Sequence, residues 1–207
     1  MSWMRHRFAA RGKPTPPPEP ENGIVMAISN GDRHWLGSLL QSGADVNAPH
    51  RGTLPLHFAA RRGEFDIVDM LIARGADIDA RDERGRTALM DAALKKDAAM
   101  LAGLLARGAD VHQKDYNGQT ALHHAAHIGA FDIAAALVIA GADADAEDYS
   151  RQTPRALIKA AGRHAETTLE NAEKQHEQMI SQKTAELGRS LCVMKPAAVR
   201  SRISPRG

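Results

Sequence analysis

Between residues 65 and 74 the apolar side chains fall at Ile67, Val68, Leu71 and Ile72. This i, i+1, i+4, i+5 spacing lines one face of a helix and predicts one over Phe65–Arg74. Gly75 ends the run, and a polar stretch follows that opens at Asp77 and reads ADIDARDERGR. An Asp there is able to close a local turn, so the stretch reads as a hairpin-like finger. A second type of short segment precedes each such helix: LPLHFAA, TALMDAA, TALHHAA and TPRALIKAA. These begin at Leu54, Thr87, Thr120 and Thr153, each 33 residues after the last. The Thr positions suit helix N-caps, and Pro55 and Pro154 suit the first helical position, where a missing N–H costs nothing. Gly31, Gly63, Gly129 and Gly162 then stand where a left-handed residue can end the helix.

The triplet Gly-Ala-Asp recurs in phase, at residues 43–45, 75–77, 108–110 and 141–143. Two markers sharing one period over about 130 residues describe an array of helix–turn–helix–finger units. No unit can bury its own apolar face, but neighbours stacked side by side share a continuous core. Pairs such as Ala59–Ala60, Ala92–Ala93 and Ala125–Ala126 permit the close approach of first helices that such a stack needs.

These segments resemble the ankyrin-repeat pattern Gly-x-Thr-Pro-Leu-His-x-Ala-Ala followed by Gly-Ala-Asp. Gly52–Ala60 with Gly75–Asp77 matches it, as does Gly118–Ala126 with Gly141–Asp143. Gly85–Ala93 with Gly108–Asp110 matches with Met90 in place of His and Lys96 in place of Gly. The resemblance covers residues 22 to 164 and implies an all-α solenoid of about five units with hairpin-like fingers. The first unit lacks the signature and reads as an N-terminal cap. Its link to the second, ADVNAPHRG, is one residue short and should tighten that finger. The fifth unit begins normally, but its second helix turns polar nearly all round (AETTLENAEKQHEQMISQKTAEL), as a C-terminal cap must. It overruns the usual length. Leu169, Ala172, His176, Met179, Lys183 and Leu187 approximate a 3–4 spacing there, too polar for a convincing coiled coil, so a capping extension on a monomer is expected.

Composition agrees with this reading. Aromatics are 4% of the 207 residues, and 37 are alanine, a core chemistry of closely packed small helices. No apolar run reaches the roughly 18 residues of a membrane span. Cys192 is the sole cysteine, so an internal disulfide framework is excluded. A cytoplasmic protein follows as the expectation. The formal net charge of +2 hides basic ends: Arg189, Lys195, Arg200, Arg202 and Arg206 face no acid in the last twenty residues. The chain divides into a basic, Pro-rich segment (1–21), a repeat domain with its capping helix (22–187) and a basic tail (188–207), both ends expected to be disordered.

Candidate chemistry is sparse. His123 and His127 stand four apart, a spacing at which two histidines can share zinc, but the residues nearby supply no clear third ligand. His57 and His123 fall at the signature position, where the resemblance implies an imidazole hydrogen-bonded between neighbouring units. Cys192 sits in a tail with nothing to orient it as a nucleophile, and no phosphate loop follows a strand. No catalytic residue, cofactor or metal is expected. Asp91 is charged where neighbouring units carry Phe58 or His124, which reads as a solvent-reaching or hydrogen-bonded position, with a partner contact as the sharper alternative.

In the ankyrin family the finger tips and exposed first-helix positions form a concave face that holds partners. By phase this face carries Arg51, Arg61 and Arg62 in the second unit. It carries Arg81, Arg84, Arg86 and Lys95 in the third, Lys114, Tyr116 and His127 in the fourth, and Tyr149 in the fifth. The implied function is non-catalytic protein binding, as adaptor, scaffold or inhibitor, with an acidic segment as the ligand. The tyrosines add contact area and the rim charges steer encounter. The alternative is nucleic-acid or anionic-membrane binding through the basic tails, with the repeats as a spacer.

Overall fold

The computed structural model describes residues 20–193, with side chains from Gly23 to Glu186. The Pro-rich run and the arginines before it, and the basic tail beyond Val193, lie outside the described residues. Within them the chain forms ten helices in pairs: α1 (Pro20–Asn30) with α2 (Arg33–Gln41), α3 (Pro55–Arg62) with α4 (Phe65–Ala73), α5 (Ala88–Lys95) with α6 (Ala98–Ala106), α7 (Ala121–His127) with α8 (Phe131–Ile139), and α9 (Pro154–Ala161) with α10 (Arg163–Val193). No β-strand occurs among the described residues.

The local signals act as their chemistry dictates. Thr153 Oγ1 accepts from the Ala156 amide at 3.2 Å, and Asp97 and Asp32 cap α6 and α2 through the Met100 and Trp35 amides at 2.9 Å. Pro55 opens α3 where Leu54 offers no side-chain cap. Between paired helices the chain needs a left-handed residue: Gly63 supplies it at φ 71°, and Lys96 is forced into it at φ 57°. A residue with a Cβ is strained there by roughly 1–2 kcal/mol. Part of that returns as entropy of the unfolded chain when glycine replaces it. Lys96→Gly should therefore raise stability by about 0.5–1 kcal/mol, seen as a higher urea midpoint.

First helices pack on first helices (α1 on α3, α3 on α5, α5 on α7, α7 on α9), and the second helices form a layer behind them. The core lies between the layers: Leu56, Leu89 and Leu122 from the front, Leu71, Leu101, Leu104 and Leu137 from the back, all nearly inaccessible. Ala59, Ala92 and Ala125 are fully buried at the joints.

The last helix departs in length as anticipated. At 31 residues it spans about 46 Å, against nine residues in α4, α6 and α8. Its first half covers α8 with Ala165, Leu169 and Ala172, and His176 Nδ1 lies 2.8 Å from the Ile139 carbonyl. Arg155 of α9 ties it down through Glu173 at 2.6 Å while also holding Asp145. Past that point Met179 and Ile180 are exposed. It also runs to Val193 rather than stopping at 187, since the sequence offers no proline until Pro196.

Candidate functional site

The fingers are built from one device used three times. Oδ1 of Asp82 accepts from the amides of Arg84 and Arg86, both at 2.9 Å. Asp115 does the same for Asn117 and Gln119, and Asp148 for Ser150 and Gln152. For Asp82, burial pulls the pKa up, but the two amides and the Arg86 guanidinium outweigh it and leave the carboxyl below 3.8. Each finger then leans on the one before it through a single backbone bond: Glu83 N to Gly52 O, Tyr116 N to Arg84 O, Tyr149 N to Asn117 O. The finger that is one residue short closes differently. His50 and Thr53 exchange both backbone bonds, at 2.9 and 3.0 Å, with Arg51 and Gly52 at φ 50° and 72° between them. This is the primed two-residue turn of a tight hairpin, as the shortened link requires.

Tyr116 and Tyr149 are exposed at 62% and 77%, yet each ring lies over a glycine of the preceding finger. A Cβ on Gly85 would meet the Tyr116 ring at 2.7 Å, and one on Gly118 the Tyr149 ring at 2.8 Å. The two rings thus have a fixed seat and a free face. Sequence position alone showed the exposure and not the seat.

The inner column along the first helices reads Met26, Phe58, Asp91, His124, Leu157. Of the expected partner-binding cations, Arg51, Arg62, Arg84 and Lys95 are exposed. Arg81 reaches Gln113 at 3.1 Å, Lys114 Nζ donates to the Glu147 carbonyl at 2.8 Å, and His127 is exposed 3.2 Å from Gln119. Arg61 is half-buried, its guanidinium 5.3 Å from the Phe58 centroid and its Nε 3.8 Å from Asp91.

Arg86 has to be removed from that set. Its guanidinium points inward, 3.1 Å from Asp82 Oδ2 and 3.6 Å from Asp91 Oδ1, and its side chain is 15% accessible. The reason is Asp91, which does not reach solvent but is 2% exposed and draws in the nearest cation. Burial pushes the Asp91 carboxyl upward, against the pull of Arg86, His57 and Arg61. The signal was paired in the sequence: the third unit departs at both places, with Arg86 where later units have Gln119 and Gln152, and Asp91 where they have His124 and Leu157.

Donor atoms of His57, Asp82 and Asp91 converge within 4.8 Å, a set that could suit a metal ion. Arg86 already bonds one of these carboxylates and faces the other, so the cationic position is filled by a side chain and the group is an ion-pair cluster. His57 Nε2 donates to the Arg86 carbonyl at 2.7 Å, joining the second and third units. His123 joins the fourth and fifth: its Nδ1 accepts from the Thr120 amide at 3.1 Å, leaving Nε2–H for the Gln152 carbonyl at 3.2 Å. The signature histidines are structural.

His124 lies 3.1 Å from Asp115, but burial dominates and holds both His124 and His123 below the ordinary imidazole value of 6.5. An imidazole with a lowered folded pKa binds fewer protons folded than unfolded. Its stabilisation is complete above 6.5 and is lost as pH falls through that value. His124→Phe, which copies Phe58, should flatten the fall in urea midpoint between about pH 7.5 and 5.5.

A family model for ankyrin repeats (three copies) matches residues 24–115 and again 89–170. Among similar proteins, the 2-5A-dependent ribonuclease of Mus musculus is 35% identical over 79 residues, 37% of this chain and 11% of its own. The E3 ubiquitin-protein ligase hecd-1 of Caenorhabditis elegans is 46% identical over 71 residues, 34% of this chain and 3% of its own. Ankyrin repeat domain-containing protein 37 of Bos taurus is 33% identical over 88 residues, 41% of this chain and 56% of its own. The shared stretch therefore spans between a few per cent and just over half of these relatives.

Proposed function

Because the chain belongs to the ankyrin-repeat family, whose repeats are in general protein–protein interaction modules, we propose that it is a non-catalytic adaptor, scaffold or inhibitor that holds an acidic segment of another protein on its finger side. What supports this reading is the run of exposed cations across adjacent units, Arg51, Arg62, Arg84 and Lys95, which repeat phase assigns to the same face as the seated, exposed rings of Tyr116 and Tyr149. Tyrosines held by their own scaffold lose little freedom on binding, and exposed cations steer an acidic partner toward them. No described helix is long and apolar enough to cross a membrane. We place the protein in the cytoplasm, as a monomer, on the expectations set out above.

The test is affinity capture with the full chain beside an Arg62→Glu, Arg84→Glu, Lys95→Glu variant, with bound proteins identified by mass spectrometry. The reading expects acidic partners to be lost from the variant while its helical circular dichroism is unchanged. Partners retained equally by both forms overturn it. Retention that depends instead on the basic residues beyond 188, and that fades with salt, supports tail-mediated binding.

A further inference from the structure

Along the finger side the apolar column does not stay apolar. It is polar in the middle, at Asp91 and His124, and apolar at its start, at Met26 and Phe58. Met26 belongs to the unit that should close the end of the stack, and yet it is 52% exposed. It forms, with Val25 and Phe58, the apolar part of a groove of about 490 Å³ between α1, α3 and the tight finger. The groove's polar lining is Ser29, His50, Arg51, Thr53 and Arg61, and none of the described residues lining it is acidic.

We propose that this groove receives a short acidic segment of a partner protein carrying one aliphatic side chain. The aliphatic group seats between Met26 and Phe58 while flanking carboxylates meet Arg51 and Arg61. This deepens the reading above and rests on it, by naming which part of the finger side binds and what the bound segment contains. Charge decides the occupant. The chain's own ends are the wrong sign: residues 1–19 carry four cations against Glu19, and residues 194–207 carry four cations and no acid. An acidic ligand from another protein complements the rim where these cannot. Arg61 already stacks on Phe58, so an arriving carboxylate finds that guanidinium braced over the apolar floor.

Arg51 makes the idea testable without endangering the fold. It occupies a left-handed position in the His50–Thr53 turn that glycine fits better, so Arg51→Gly relaxes the backbone and deletes the rim charge in one change. Met26→Gln likewise alters an exposed helical position. The probes are three fluorescein-labelled peptides, Asp-Glu-Asp-Leu-Asp-Glu-Asp, its Leu→Ser form, and Lys-Lys-Lys-Leu-Lys-Lys-Lys, titrated against the full chain by anisotropy. The acidic leucine peptide should saturate below about 1 mM, the serine form should bind about tenfold more weakly, and the lysine peptide should not bind. Arg51→Gly and Met26→Gln should each weaken the leucine peptide about three- to tenfold, and Lys95→Glu should leave it nearly unchanged.

Equal binding of the leucine and serine peptides, or wild-type affinity in both groove variants, overturns the proposal. If Lys95→Glu abolishes binding and the groove variants do not, the broader finger-side reading stands and the groove falls. No saturation by any peptide, together with partner capture insensitive to the triple charge reversal, defeats both. A dimer in sedimentation that Met26→Gln dissolves makes a second copy the occupant and also overturns the proposal.

Discussion

Arg86→Ala should destabilise the protein by about 3–5 kcal/mol, more than any other surface-derived arginine in the chain. The guanidinium is the nearest cation to two buried carboxylates, Asp82 and Asp91, and alanine leaves both without it. Asp82 retains its backbone amides, so most of the loss arises at Asp91, where His57 and Arg61, the latter 3.8 Å away, are left. Two comparisons isolate the cause. Arg86→Met combined with Asp91→Leu removes cation and anion together, and should return the urea midpoint to within about 1 kcal/mol of the parent. Lowering the pH should shrink the Arg86→Ala deficit. Burial already raises the folded-state pKa of Asp91 above 3.8 against the pull of Arg86, and removing Arg86 raises it further, so the variant takes up its proton at higher pH than the parent and recovers stability first as pH falls. A deficit that is independent of pH and persists in the double variant would mean that Arg86 acts through packing alone.

The second large effect is expected far from the finger side. Leu169→Ala should cost about 2–4 kcal/mol, because Leu169 is 3% exposed in the seam where α10 closes over α8. Without it the face of α8 that α10 packs against loses part of its cover, and the loss should appear in chemical denaturation as early unfolding of the fifth unit. Ile180→Ala, eleven residues further along the same helix, should change the midpoint by less than about 0.5 kcal/mol, since Ile180 is 49% exposed. The contrast distinguishes a cap whose first half is structural from a helix that is stabilising throughout.

How much of this was legible beforehand follows from which interactions are local. The in-phase Gly-Ala-Asp and Thr markers reveal the stack because caps and turns are set by residues within a few positions of one another. The shortened link before Gly52 foretells a tight finger for the same reason, and His50–Thr53 is one. The inward turn of Arg86 was not legible from its phase. A tip cation in one unit is a core partner in another once a carboxylate enters the facing helix, and that depends on Asp91, five residues on. The seats of Tyr116 and Tyr149 were hidden too, since they depend on which way a ring folds across a glycine in another finger. The groove at Met26 was missed because the first unit, lacking the signature, reads as a plain cap.

Met90 has a mechanical meaning. Units two and three are riveted by the His57 bond to the Arg86 carbonyl, and units four and five by the His123 bond to that of Gln152. Between units three and four the same position holds a thioether, which cannot donate, so no imidazole crosses there. That junction is held without an imidazole, by the finger bonds from the Tyr116 amide to the Arg84 carbonyl, from the Asp110 amide to Asp79 Oδ1 and from Arg81 to Gln113.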